Sequence, residues 1–96
     1  MRVRFSPLAQ RELDDAFLWY SKQATRLGQD FLDEFDRAVR RAATYPLAFP
    51  ELTAGLRRSL LNRFPCGLIY GLDDDILVVI AVAHLHRKPL YWIERV

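Results

Sequence analysis

Residues 67–84 read GLIYGLDDDILVVIAVAH, and this stretch decides the fold. Two apolar runs, Gly67 to Leu72 and Ile76 to His84, flank Asp73-Asp74-Asp75. Aspartate suits turns and is depleted in strands, so the three acids mark the turn of a β-hairpin. The second run is rich in β-branched residues and apolar without a break, as expected of a central strand covered on both faces. Upstream, after Gly55, Arg57 to Arg63 is a mixed segment with Leu60 and Leu61 set among polar residues, which reads as another strand. Downstream, Leu90 to Ile93 is expected to add a final edge strand, with Pro89 at its start where no ladder amide is needed.

The first half of the chain has a different period. Arg2 to Phe5 is a short extended segment ending at Ser6-Pro7, a helix start: serine caps the free amides and proline needs none at the first position. Apolar residues then recur at Ala9, Leu13, Ala16, Phe17, Tyr20 and Ala24, one helical stripe with Glu12, Asp14 and Asp15 expected to face away. A second stripe runs through Leu27, Phe31, Phe35, Ala38, Val39 and Ala42, so the chain turns back near Thr25 to Gly28 as a helical hairpin. The second helix starts among Asp30, Asp33 and Glu34 and ends among Arg37, Arg40 and Arg41, matching the macrodipole at both ends. Tyr45-Pro46 stops it, and Pro46 to Pro50 reads as a loop. The expectation is an α+β domain over residues 1–96: an N-terminal strand and a two-helix hairpin packed on a small antiparallel β-sheet.

The 96 residues suit one domain, and a chain that is 51% hydrophobic and 12% aromatic supplies a core that a disordered chain lacks. Cys66 is the one cysteine, which excludes a disulfide framework and a thiolate zinc cluster. The opening MRVRFSP lacks the apolar run of a signal peptide, and Ile76 to Ala83 falls far short of the ~20 residues a membrane helix needs. A cytoplasmic protein with no membrane partner is expected. Formal net charge is only +2, yet twelve of the fourteen cationic residues are arginine. The first 51 residues balance their charges. Beyond them Arg57, Arg58, Arg63, Arg87, Lys88 and Arg95 face only Glu94 and the acidic turn. Arginine suits bidentate pairing with phosphate or carboxylate, so a polyanion or an acidic protein segment fits as partner.

The densest polar and aromatic cluster follows the strongest strand, from His84 to Arg95. On a continuing strand His84 and His86 point the same way, but no third ligand stands at metal-binding spacing, so no metal and no cofactor are expected. One of these histidines has the right titration range for acid–base chemistry on RNA; a hydrogen-bonded histidine closing a strand is the plainer alternative. Tyr91 and Trp92 can stack on bases, though alternation sends one of them, Trp92, to the core. Cys66 beside Pro65 has nothing to activate it and reads as a small buried hydrophobe. Asp14 and Asp15 are neighbours on a helix and do not face one another, which argues against an acid–base pair. Leu8, Phe17, Leu18, Trp19, Leu32 and Phe35 cannot all fit one inward stripe. Leu18 and Trp19 lie off it, either as contacts for a partner or half-covered by the loop 45–56.

Several of these stretches together resemble the RelE/ParE superfamily of toxins from bacterial type II toxin–antitoxin modules. Arg63-Phe64-Pro65 with Tyr70 is similar to its R-F-P-x-x-x-x-Y strand entrance. Ala81-Val82-Ala83-His84 with Arg87, Pro89, Trp92 and Arg95 is similar to its H-x-x-R-x-P-x-x-W-x-x-R ending. The likeness spans essentially the whole chain. It implies two N-terminal helices backing an antiparallel sheet, and a cognate antitoxin (ParD-like or similar) that wraps this surface in a hetero-oligomer.

The superfamily holds two chemistries. RelE-type members cut messenger RNA on the ribosome with Lys, Arg and often Tyr around the scissile phosphate. Laid on this chain, that pattern falls at Arg58, Leu60, Gly67, Leu85 and Tyr91, of which only Arg58 and Tyr91 keep suitable chemistry. An endoribonuclease would need His84, His86 or Arg87 as substitutes. ParE-type members lack the nuclease set and poison DNA gyrase, and the loss of cations makes this chain resemble them more. The implied activity is then non-enzymatic, with growth arrest and plasmid stabilisation as its consequences. The expected target-binding residues are Arg57, Arg58, Arg63, Arg87, Lys88, Tyr91, Trp92 and Arg95, and the expected antitoxin contacts are Leu18 and Trp19. A module that still binds antitoxin but poisons nothing is the third reading.

Overall fold

The computed structural model describes residues 1–95. Strand β1 (Arg2–Phe5) leads into α1 (Pro7–Gln23) and α2 (Leu27–Thr44), followed by β2 (Glu51–Thr53), β3 (Leu56–Leu60), β4 (Cys66–Asp73) and β5 (Ile76–His84). The sheet order is β1-β5-β4-β3-β2. The hairpin of β4 and β5 turns at Asp74, whose φ of +53° is a left-handed conformation that aspartate tolerates. All neighbouring strands from β2 to β5 are antiparallel. β1 instead lies parallel to β5, from Arg2 opposite Ile76 to Phe5 opposite Val79, so the sheet is mixed and β5 is an interior strand beside the central β4. The α+β class stands. Strand direction was not readable from alternation, because a strand's apolar pattern is the same in both directions.

The helix signals read from the sequence act as expected. Ser6 Oγ accepts from Ala9 N–H at 3.1 Å, and Pro7 takes the first position. Ser6 N–H also donates to Val79 O at 2.9 Å, so strand pairing hands over directly to the helix cap. The helices approach closely at Gly28, where a Cβ would lie 1.9 Å from Ser21 Oγ and 2.9 Å from Phe17 O. Only glycine fits there.

Both helices cover one face of the sheet. Phe31 and Phe35 of α2 pack with Tyr20 of α1 and with Leu68, Tyr70, Leu77 and Val79 of the central strands. Rings of Tyr20 and Phe64 lie 5.0 and 5.4 Å from that of Phe31. Burying a side chain such as Phe31 contributes about 1.5–3 kcal/mol. Tyr70 donates its hydroxyl proton to Pro46 O at 2.7 Å, which ties down the loop after α2. The opposite face carries a smaller cluster of Leu56, Ile69, Ile80, Ala81, Ala83 and Trp92.

Two local features depart from the sequence reading. First, Ile69 pairs with Ala81 and Tyr70 with Val79, which leaves Ile80 as an extra residue, a β-bulge. Leu77 and Val79 face the helices before the bulge, and Val82 does after it. A bulge therefore exchanges odd for even positions, and His84 comes to the helix side. Second, Leu90 to Ile93 is not an edge strand. Residues 85–92 form turns, Ile93–Arg95 is a short 3-10 helix, and Leu90 has φ +59°, which no extended strand allows. β4 flanks β5 on one side and β1 covers the other as far as Val79, while side chains of Glu12, Tyr91 and Arg95 take the backbone groups of Ile80 and Val82 beyond it.

Candidate functional site

Two grooves meet at the end of β5. The larger, about 450 Å³, lies on the helix side between α1 and the end of the sheet. Its apolar floor includes Ala16, Tyr20, Phe31, Cys66 and Val82, with Trp19 at its rim. The smaller, about 150 Å³, lies on the other face over Ile69, Ala83 and Trp92. His84 and Arg87 line both.

Glu12 organises the junction, contrary to the expectation that it faces away with Asp14 and Asp15. Its Oε1 accepts from Val82 N–H at 3.0 Å and from Arg95 Nη1 at 2.8 Å. Its Oε2 accepts from the Tyr91 hydroxyl at 2.5 Å, Arg95 Nη2 at 3.1 Å and Arg87 Nη1 at 3.4 Å. Burial alone pushes the carboxyl up. The bonds from Arg95, Tyr91 and Val82 outweigh it and hold Glu12 below its ordinary value. Burial and the same carboxylate raise Tyr91, and the bond to Glu12 raises Arg95. The signal for this was present: Glu12, Ala16 and Tyr20 stand at four-residue steps, one row along the helix.

This cluster closes a sheet edge. β1 ends opposite Val79, so the rest of β5 has no strand on that side. Arg95 Nη1 donates to Ile80 O at 2.9 Å, Glu12 takes Val82 N–H, and the Tyr91 hydroxyl lies 3.3 Å from Val82 O. Side chains thus satisfy backbone groups that would otherwise invite another strand.

The eight basic and aromatic residues singled out in the sequence part company. Arg57 points to the helix side and donates to Leu47 O and Phe49 O, 3.3 and 2.8 Å away, holding the loop. Arg63 sits in the loop before β4 with φ +66°, 4.0 Å from Asp30 and over the ring of Phe64. Trp92 is buried and Arg95 is nearly so. Arg58, Arg87, Lys88 and Tyr91 do converge, all lining the smaller groove. Arg58 crosses there because residue 67 is glycine: a Cβ would press within 3.2 Å of Arg58 Cδ.

His84 is half-buried and His86 exposed, with rings 4.9 Å apart. The strand ends at His84, so they are brought together by a turn, in which His86 N–H donates to His84 Nδ1 at 3.2 Å. Burial and the neighbouring His86 lower the His84 pKa, which favours the neutral ring. No cluster of three metal-ligating side chains exists among the described residues. Cys66 is buried and its thiol is pushed up to about 12, chiefly by burial, which leaves it unreactive. Leu18 and Trp19 stay 54% and 57% exposed, so the loop 45–56 does not cover them.

A helical hairpin on one face of a mixed five-stranded sheet, with a cationic C-terminal segment fastened across its end, defines a class of small α+β domains. The sequence profile described as "ParE toxin of type II toxin-antitoxin system, parDE" matches residues 3–89. The chain belongs to that family and is a toxin of a ParDE-type module, which implies an antitoxin partner. A solved chain of the chromosomal ParDE system from P. aeruginosa has a similar fold: TM-score 0.69, 16% identity, covering 90% of this chain and 97% of its own. No curated protein matches the sequence significantly. No helix among the described residues is long and apolar enough to cross a membrane.

Proposed function

We propose that this toxin acts without catalysis, by binding DNA gyrase in the cytoplasm, and that a ParD-like antitoxin neutralises it by direct contact. The observation that carries the first part is the state of Tyr91. Its hydroxyl is committed to the Glu12 carboxylate and its pKa is raised, so it is a poor proton donor or acceptor for RNA cleavage. His84, the nearest substitute base, lies in the same groove but is held within a turn. The positions where a ribonuclease would carry further cations are Leu60, Gly67 and Leu85.

Purified toxin should inhibit gyrase supercoiling and accumulate cleaved DNA. In cells, induction without antitoxin should reduce DNA synthesis before translation. An untouched gyrase reaction at micromolar toxin rejects the proposal. The alternative, a ribosome-dependent endoribonuclease, draws on the convergence of Arg58, His84, Arg87 and Tyr91 in one groove. It requires an early fall in translation that is abolished by Tyr91→Phe. Absence of any growth arrest would mark a module that binds antitoxin and poisons nothing.

For neutralisation, the helix-side groove offers an apolar floor with Trp19 at its rim, and Leu18, the preceding residue on α1, is exposed outside the groove's lining. An amphipathic antitoxin segment suits such a groove. Leu18→Ser with Trp19→Ser should weaken antitoxin binding at least tenfold while thermal stability is kept; equal affinity removes these residues from the interface.

A further inference from the structure

We infer that the loop between α2 and β2, with Tyr45 and Leu47 in its turn, is the surface that docks on the toxin's protein target. The inference deepens the target reading above and rests on it for the partner, but the surface lies apart from both grooves. Residues 45–50 read YPLAFP, six apolar residues in a row. Loops face water and are ordinarily polar, and an exposed apolar run adds nothing to the core, so its use lies in contact with another molecule. Leu47 and Tyr45 are 69% and 66% exposed, more than any other large apolar side chain among the described residues. Neither lines a groove.

The loop is held rigidly all the same. Tyr45 O accepts from Ala48 N–H at 3.1 Å, closing a turn, and Pro50 O accepts from Arg58 N–H at 3.1 Å. Pro46 O accepts from the Tyr70 hydroxyl, and Leu47 O and Phe49 O accept from Arg57, so the sheet grips the backbone from beneath. Proline rings fix φ at Pro46 and Pro50. Arg57, which the sequence marked for the target, thus fixes the loop and leaves the contact itself to Tyr45 and Leu47. A segment ordered before it binds loses little entropy on association, and tyrosine is a frequent anchor of protein interfaces.

Charge selects the partner. From residue 37 to residue 50 the sequence holds Arg37, Arg40 and Arg41 and no carboxylate. Arg37 and Arg40 pair with Glu34 and Asp36 one turn back. Arg41 stands four residues before Tyr45 and has no ion pair or side-chain hydrogen bond among the described residues. The matching surface is an apolar pocket on a protein, with a carboxylate at its rim. A second copy across a twofold axis brings Arg41 toward its own equivalent, and a phosphate backbone offers Leu47 nothing.

The test measures gyrase binding and supercoiling inhibition, growth arrest on induction, and affinity for the ParD-like antitoxin on one set of variants. Tyr45→Ser and Leu47→Ser should each weaken gyrase binding and inhibition at least tenfold. Arg41→Gln should weaken them severalfold and make them less sensitive to salt. Thermal midpoints and antitoxin affinity stay at wild-type values, and Tyr45→Phe and Leu47→Met keep their inhibition. Leu60→Ser, at the far end of β3, is the control for losing an exposed leucine. Inhibition that survives Tyr45→Ser with Leu47→Ser, or an equal loss from Leu60→Ser, overturns the surface and leaves the gyrase reading in place. Lost antitoxin affinity in the loop variants gives the loop to the antitoxin and overturns the inference. A concentration-dependent dimer abolished by these variants gives it to a second copy, with the same consequence. Gyrase untouched by the wild-type toxin rejects the gyrase reading. The loop then stands if growth arrest still requires Tyr45 and Leu47, and falls otherwise.

Discussion

The segment from His84 to Arg95 contains two regions of opposite character. Its far end, Tyr91, Trp92 and Arg95, is fastened: Trp92 fills the small core and the other two meet Glu12. Its near part, Arg87 and Lys88, stays exposed and joins Arg58 across the groove. A single run of basic and aromatic residues therefore divides into an anchor and an exposed cationic part. The difference lies in what each side chain can reach. Arg95 finds a carboxylate and a carbonyl within 3 Å, and Lys88 finds neither among the described residues. A charge that is satisfied internally offers little to a partner, so the number of cations in a sequence overstates the size of the binding surface.

Substitutions should separate the two regions. The largest effect is expected for Glu12→Ala, which leaves Arg95, the Tyr91 hydroxyl and Val82 N–H without their acceptor in a largely buried place. Stability should fall by about 3 kcal/mol, read by urea unfolding, because removing one partner of a buried pair strands the other. A wild-type midpoint would break the comparison by showing that the anchor carries no load. Tyr91→Phe removes one hydrogen bond to a carboxylate and keeps the ring under Arg87, so a loss of about 1.5 kcal/mol is expected.

Acid should act on the anchor as well. The folded-state pKa of Glu12 is held below its ordinary value of 4.5. Its contribution is fully present above that value and is lost as pH falls through the lower, folded-state pKa. Stability should therefore drop in acid, and Glu12→Gln should flatten that part of the profile; an unchanged profile would mean that other carboxylates govern it. The smallest effect is expected for Lys88→Gln, within about 0.5 kcal/mol, since an exposed side chain with no partner contributes little. A larger loss would place Lys88 in the anchor and shrink the exposed cationic part.

How much was legible varies by element. Ser6-Pro7 and the two apolar stripes announced the helices because capping and 3.6-residue periodicity are local. Asp73-Asp74-Asp75 announced the hairpin for the same reason. The bulge at Ile80 was not legible: β-branched and apolar residues run through it unbroken, so nothing marks the step where the faces exchange. Glu12 was misplaced because polar residues are assigned outward by default, and its partners lie 70 to 83 residues away. The missing edge strand had the composition of a strand. Its backbone was decided by Trp92 and Arg95 seating on the sheet.

By itself the sequence determined the helices, the hairpin, the buried aromatic core and the family, all of which follow from local periodicity or from ordered motifs. Only the tertiary structure decided which cations are anchored and which are exposed, where His84 points, and that two grooves share one wall. Those outcomes depend on contacts between residues far apart in the chain, and a side chain's partner in such a contact is set by the packing of the whole domain.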